Sequence, residues 1–165
     1  FPIRRAPNAR PSRLNNRFIM SASDNILTTA AQIHELLQSA KTIAVLGIKT
    51  EKQPDQAAYY VPQYLQEMGF EIIPVPVYYP EATEILGQKV YRSLSEIPGE
   101  IDIVNIFRRP QDIPQHVPDI IAKKLRAVWM QLGITNDEAA QQLAEAGIKV
   151  VQDRCIKDEY KRHNF

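Results

Sequence analysis

The sequence predicts an open parallel α/β sheet of five strands with helices on both faces. Five short apolar runs carry this expectation: TIAVL (42–46), EIIPV (71–75), IDIVNIF (101–107), RAVWMQL (126–132) and IKVVQ (148–152). They are rich in Val and Ile without strict alternation, as strands buried on both faces are. Segments with helical spacing separate most of them, which favours βαβ crossovers over hairpins. With 44% hydrophobic and 24% charged residues in 165, the composition is that of one soluble globular unit with a real core.

The elements follow in order. Ser23 or Asp24 can cap a first helix on which Ile26, Ala30, Ile33, Leu37 and Ala40 share a face. His34 borders that stripe and reads as a packing or surface residue. After the first strand, YYVPQYLQEMG groups Val61, Leu65 and Met68 and stops at Gly69. Pro62 has no N–H and clashes inside a helix, so this helix should begin near Tyr59 or kink there. Between strands two and three, YYPEATEILGQKVYRSLSEIPGE contains Pro80, Gly87, Pro98 and Gly99 and reads as an irregular excursion with one short helix near Leu94. VPDIIAKK is a short, proline-started helix. NDEAAQQLAEAG opens on a Thr135-to-Glu138 capping pattern and stops at Gly147. No repeat or linker interrupts residues 20–165, which read as a single domain.

Charge is uneven. Residues 1–19 hold five arginines and no acid, which leaves 15 basic against 19 acidic residues in the remainder, a net of −4. That balance disfavours a nucleic-acid surface. Residues 1–19 fit a disordered extension, either of cloning origin or from an extended start, with Met20-Ser21-Ala22 as the natural beginning; a transit peptide is the alternative. A single cysteine, Cys155, excludes an intrachain disulfide and fits a reducing, cytoplasmic compartment. No apolar run is long enough to span a bilayer.

In open α/β sheets, ligands lie beyond the carboxyl ends of the strands. Those ends read Gly47-Ile48-Lys49-Thr50, Pro76-Val77-Tyr78-Tyr79, Phe107-Arg108-Arg109-Pro110, Gln131-Leu132-Gly133 and Asp153-Arg154-Cys155. A nicotinamide dinucleotide is disfavoured twice over. Only Gly47 of a G-x-G-x-x-G fingerprint is present, and strand two ends PVPVYYP with no carboxylate for a ribose. The first loop is long and polar, with Lys49, Thr50 and Lys52. It either meets a phosphate by charge and backbone N–H or is a solvated connector.

Taken together, VLGIK, FEIIPVPVYYPE, GQKVYRSLSEIP, DIVNIFRRP, AVWMQLGI and VVQDRC resemble the CoA-binding domain family. These are small stand-alone bacterial proteins similar to the nucleotide-binding domain of the succinyl-CoA synthetase α subunit. The resemblance spans about residues 25–160. It implies a Rossmann-like sheet holding coenzyme A, as CoA or acyl-CoA, along its carboxyl edge. On that reading the backbone of Gly47, Ile48 and Lys49 meets the pyrophosphate, with Thr50 and Lys52 in support. Val75, Pro76 and Val77 offer an apolar surface for adenine, and Tyr78 or Tyr79 either stacks on it or simply packs. Arg108 and Arg109 follow strand three, where a guanidinium fork binds phosphate oxygens or instead pairs with Asp112. Phe107, Gln131, Gly133 and Cys155 complete the edge. The sequence departs from the family's commonest first loop, which carries a Ser or Thr close behind the glycine and a Ser-Tyr pair at the helix start.

Little in the sequence speaks for turnover. There is no Ser-His-Asp pattern, metal-spaced cluster or carboxylate pair. His116 and His163 lack the family's glycine-flanked active histidine and read as surface residues. Trp129 and Met130 read as core. Cys155, beside Arg154 and Lys157, is either a quiet thiol or a thiolate able to form a mixed disulfide with CoA. The expected function is a non-catalytic CoA carrier, sensor or regulator. The alternatives are an NAD(P)-dependent oxidoreductase, a partner-dependent acyl-CoA ligase fragment, or a structural subunit.

Overall fold

A computed structural model describes residues 21–163; the arginine-rich segment expected over 1–19 lies outside them. In chain order the strands are β1 (Thr42–Leu46), β2 (Glu71–Val75), β3 (Glu84–Ile85), β4 (Gln88–Lys89), β5 (Ile103–Ile106), β6 (Ala127–Met130) and β7 (Lys149–Val151). Five of them form one sheet in the order β2-β1-β5-β6-β7, every neighbour parallel, while β3 and β4 pair only with each other. The Rossmann-like α/β sheet is therefore as predicted, with its last three strands one or two residues shorter at each end than their apolar runs.

Side-chain alternation divides the core. Ile43, Val45, Ile103, Trp129 and Val151 pack with α1 (Ala30–Ser39), α2 (Ala57–Glu67) and α5 (Ile156–Arg162). Ala44, Leu46, Val104, Ile106, Val128 and Met130 pack with α3 (Val117–Lys123) and α4 (Asp137–Glu145) on the other face. Trp129 is fully buried, and its indole N–H donates to the Arg154 carbonyl at 2.8 Å, tying β6 to the turn after β7.

Several expectations need correction. The first helix begins at Ala30. Its cap is Thr29, in a reciprocal box with Gln32, and Ala22–Asn25 form only a 3-10 turn. Ile26 instead makes a parallel bridge to Val150. Helix α2 begins at Ala57 and contains Pro62. The cap of α4 is Asn136, which accepts from the Ala139 amide at 2.9 Å. The excursion after β2 holds its 3-10 turn at Leu94–Glu96 and also the β3–β4 hairpin. The Tyr91 amide donates to the carbonyl of Pro74, so this excursion covers the outer edge of β2, where a proline is tolerated. Helix α5 carries no expectation in the sequence reading.

At the amino edge, Asp102 joins β5 to β1. Its carboxylate accepts from the Lys41 and Thr42 amides at 2.7 and 3.1 Å and faces Arg126 at 3.5 Å. Partial burial pushes its pKa up, but the two amides and Arg126 outweigh that and hold it below the usual aspartate range. Stability from a group with a depressed pKa is fully present above its unfolded pKa and is lost as pH falls through the folded value. Asp102→Asn is expected to lower the urea midpoint at neutral pH, with the deficit shrinking as the solution is acidified below that value. An equal deficit at both pH values would mean that the charge contributes nothing.

Candidate functional site

The chain leaves β1 for β2 on one side and then crosses to β5 on the other. The order thus reverses between β1 and β5, the position at which such sheets open a crevice. Gly47 stands there with φ of +88°, and an ideal Cβ on it would lie 2.3 Å from the Phe107 carbonyl oxygen. Only a residue without a side chain permits this approach. The Gly47 amide donates to Val75 at 2.9 Å and the Phe107 amide to Leu46 at 2.9 Å, so three strand ends meet at one point.

The first loop is folded on itself. The Thr50 hydroxyl and amide both donate to Gln53 Oε1, at 2.9 and 3.2 Å, and the Lys52 amide donates to the Thr50 hydroxyl. Pro62 explains how the loop meets α2. A helix interior would send the amide of residue 62 to the carbonyl of residue 58, but proline has no N–H. The freed Ala58 carbonyl accepts instead from the Lys49 amide at 3.1 Å. Helix α2 itself starts on Gln56 without a side-chain cap.

Two grooves flank the crevice. The first, about 380 Å³, has apolar walls of Leu46, Pro76, Val77 and Leu94 with Ser93, Arg92, His116 and Asp119 at its margins. The second, about 440 Å³, lies between α2 and α5 and is walled by Tyr60, Val61, Phe107, Leu132 and Ile134, with Gln131 and Cys155 beside them. The large apolar side chains left exposed among the described residues include Tyr60, Val77, Tyr78 and Leu132, all on this edge. Exposed apolar groups gathered in one place mark a binding surface more often than a bare one.

The expected site residues divide. Pro76 and Val77 face the first groove, while Phe107, Gln131 and Cys155 line the second. Ile48 and Val75 are core side chains, each 1% exposed. Thr50 is buried and satisfied locally, and Lys52 is exposed. Gly133 turns the chain after β6, its amide donating to Asp153. Tyr78 and Tyr79 stack edge to face, and the Lys49 ammonium reaches the Tyr79 hydroxyl at 3.4 Å.

The arginine pair separates. Arg109 is exposed and bonds Asp112 at 2.8 Å, which holds that carboxyl below the usual range. This is the Asp112 alternative for that residue. Arg108 lies largely covered against Gly47. Its Nε donates to His116 Nε2 at 3.2 Å, and Asp112 is only a distant partner at 3.9 Å. His116 is therefore not the surface residue expected. Burial first, and the Arg108 charge second, push its pKa below the ordinary histidine value, so the ring is a neutral acceptor at pH 7. His163 also differs from expectation: its side chain is 11% exposed, 3.8 Å from the buried Glu159 and edge-on to His34.

Arg92 escaped the sequence reading. Its guanidinium donates to the carbonyls of Tyr78, Tyr79, Pro80 and Ala82, which pins the loop after β2 over the first groove. Its only signal was its position inside one of the family-like segments.

The CoA binding domain family matches residues 41–161, and the chain belongs to that family. It is 42% identical over 127 residues to the uncharacterized protein YneT of Bacillus subtilis (strain 168), covering 77% of this chain and 90% of YneT. It is 32% identical over 125 residues to the alpha subunit of the ADP-forming acetate–CoA ligase I of Pyrococcus furiosus, covering 70% of this chain but 26% of that protein. A solved structure from Thermus thermophilus superposes with a TM-score of 0.75 at 38% identity, covering 82% of this chain and 99% of that one. No helix among the described residues is long and apolar enough to cross a membrane.

The Arg108 and Lys49 contacts can each be tested in solution. In Arg108→Ala, an NMR titration should find the His116 pKa higher than in the parent protein; an unchanged value would place the guanidinium elsewhere in solution. In Pro62→Ala, the restored helical N–H competes for the Ala58 carbonyl. Hydrogen exchange at the Lys49 amide should accelerate, and equal protection in both proteins would mean that Pro62 is not what frees the Ala58 carbonyl for Lys49.

Proposed function

We propose that this chain binds coenzyme A, free or acylated, as a carrier, sensor or CoA-dependent regulator without turnover of its own. One observation carries the reading beyond the family: two cations flank Gly47 and each has a neutral hydrogen-bond partner, Arg108 the His116 imidazole, with the Asp112 carboxylate standing off at 3.9 Å, and Lys49 the Tyr79 phenol. A cation whose partner is neutral keeps its charge for an incoming anion.

In this reading the adenine lies in the first groove, on Pro76 and Val77, with Ser93, His116 and Asp119 available to its polar edge. The phosphates face Arg108, Lys49 and Lys52. The amides of Gly47 and Lys49 are already engaged, so the uncapped start of α2 at Ala57 and Ala58 is the better source of backbone donors. Nine residues separate Gly47 from that helix start, and cations on this loop serve where a dinucleotide fold uses close glycine contacts. The single cysteine and its groove position fit a reducing, cytoplasmic setting in which Cys155 stands near the thiol end of the ligand. Disulfide exchange there has a balanced form: the Cys155 thiolate attacks oxidised CoA disulfide, one CoA is bonded to the protein, and the other leaves as thiolate.

A partner-dependent ligase fragment is the second reading. It is favoured by the 32% identity to the acetate–CoA ligase alpha subunit, of which the matched part is about a quarter. Titration calorimetry distinguishes the main reading from the nicotinamide alternative. CoA is expected to bind with micromolar affinity or better, dephospho-CoA and NAD more weakly. Arg108→Ala should cost about 1.5–3 kcal/mol, the range for a hydrogen bond to a charged group. Equal affinity for NAD and CoA would overturn the reading.

A further inference from the structure

The groove between α2 and α5 has a chemistry that the phosphates and adenine leave unused. One side of it, Tyr60, Val61, Phe107, Leu132 and Ile134, is apolar, Leu132 being 68% exposed, while Lys157, Asp158 and Lys161 of α5 line the other. At its floor Gln131 is only 4% exposed. The Gln131 Oε1 accepts from the Ile156 amide at 3.0 Å, which fixes the carboxamide one residue from Cys155. Its Nε2 donates to none of the described residues, although Gln131 lines the groove. Asn105 lies two residues before Phe107 in β5. It is fully buried, and neither amide atom has a partner among the described residues. A sealed amide without a partner, as at Asn105, is costly, whereas Gln131 Nε2 is not among the sealed atoms and is open to a groove ligand. The two grooves open on either side of one strand junction: Phe107, on this wall, bonds through its amide to Leu46, on the wall of the first groove.

We propose that this groove receives the thioester end of an acyl-CoA, with Gln131 Nε2 donating to the thioester carbonyl and a short unbranched acyl chain lying on Phe107, Val61 and Leu132. The inference rests on the coenzyme A reading and deepens it. An apolar wall rewards added methylenes, roughly fourfold in affinity for each one fully buried. A thioester carbonyl offers the Gln131 amide an acceptor that free CoA does not. The protein is thus a reader of acylation state, and its ligand class is a short-chain acyl thioester.

The test is competition binding of CoA, acetyl-CoA and butyryl-CoA to the full chain. Affinity should rise in that order, with butyryl-CoA at least tenfold tighter than CoA. Gln131→Glu keeps an acceptor for the Ile156 amide and removes the donor, so it should erase the preference for acetyl-CoA while CoA still binds. Leu132→Asp takes an exposed apolar side chain from the groove and should lower butyryl-CoA affinity to that of acetyl-CoA or below. It also serves if Gln131→Glu fails to fold. Equal affinity for all three ligands in the parent protein overturns the acyl subsite while leaving CoA binding intact. Failure of every one of them to bind overturns the coenzyme A reading itself, and this inference with it.

Discussion

The carboxyl edge depends on one backbone contact, the approach of β5 to β1 at Gly47. The Phe107 carbonyl occupies the space that a Cβ would need, and the φ of +88° turns the chain out of the sheet within a single residue. Any other residue there forces the strands apart or strains a left-handed backbone. Because the Gly47 amide also closes onto Val75, the ends of β1, β2 and β5 are set by the same residue. The two grooves take their separation from that knot, one opening beside Leu46 and the other beside Phe107. In a dinucleotide fold the first glycine serves the turn and its successors serve the cofactor. Here the remaining glycine serves the strands, and the loop beyond it is free to be long.

That loop is kept in place by hydrogen bonds that a glycine-rich turn would not need. Pro62 weakens α2 internally and releases the Ala58 carbonyl, and the Lys49 amide takes it. Glu51 reaches out to the Leu86 amide at 2.7 Å, and Gln66 of α2 donates to the Leu86 carbonyl at 2.9 Å, so loop, helix and hairpin brace one another. A proline that local propensity counts as a helix breaker is thus the residue that anchors the candidate phosphate loop.

The strands were legible because burial on both faces leaves a compositional mark that no partner is needed to see. Ile43, Val45, Ile103 and Val128 are all fully buried, and the runs that contain them could be read directly. Elements held by charge left no such mark. Helix α5 buries Glu159, which is acceptable only because Arg154 and Arg162 approach it at 3.3 and 3.2 Å, so its inner face does not read as apolar. The hairpin has two residues per strand and owes its place to Glu51 and Gln66, distant in sequence. The start of α1 was written in Thr29-Ala30-Ala31-Gln32, but Ser23 and Asp24 offered an earlier cap of equal quality. At the site, strand-end residues such as Pro76, Val77, Gln131 and Cys155 followed from topology alone. Arg92 and His116 did not, since an excursion and a 3-10 turn carry them to the first groove.

The division of the arginine pair bears on how an anion is met. An exposed pair such as Arg109 with Asp112 is worth little and is screened by salt, yet it still subtracts one positive charge from the edge. Arg108 is different: its side chain is 20% exposed, so much of its hydration is already lost, and its closest partner carries no charge while His116 remains neutral. The depressed pKa of that imidazole is partly Arg108's own effect, so the cation helps to keep its holder in the form that leaves it unneutralised. Lys49 has the same arrangement with the Tyr79 phenol across Gly47. Folding has thus already met part of the desolvation cost for Arg108, and the carboxylate nearest it, Asp112, stands off at 3.9 Å. Orientation without neutralisation is what a preorganised anion site requires, and under the proposed function an imidazole and a phenol would supply it instead of glycine backbone.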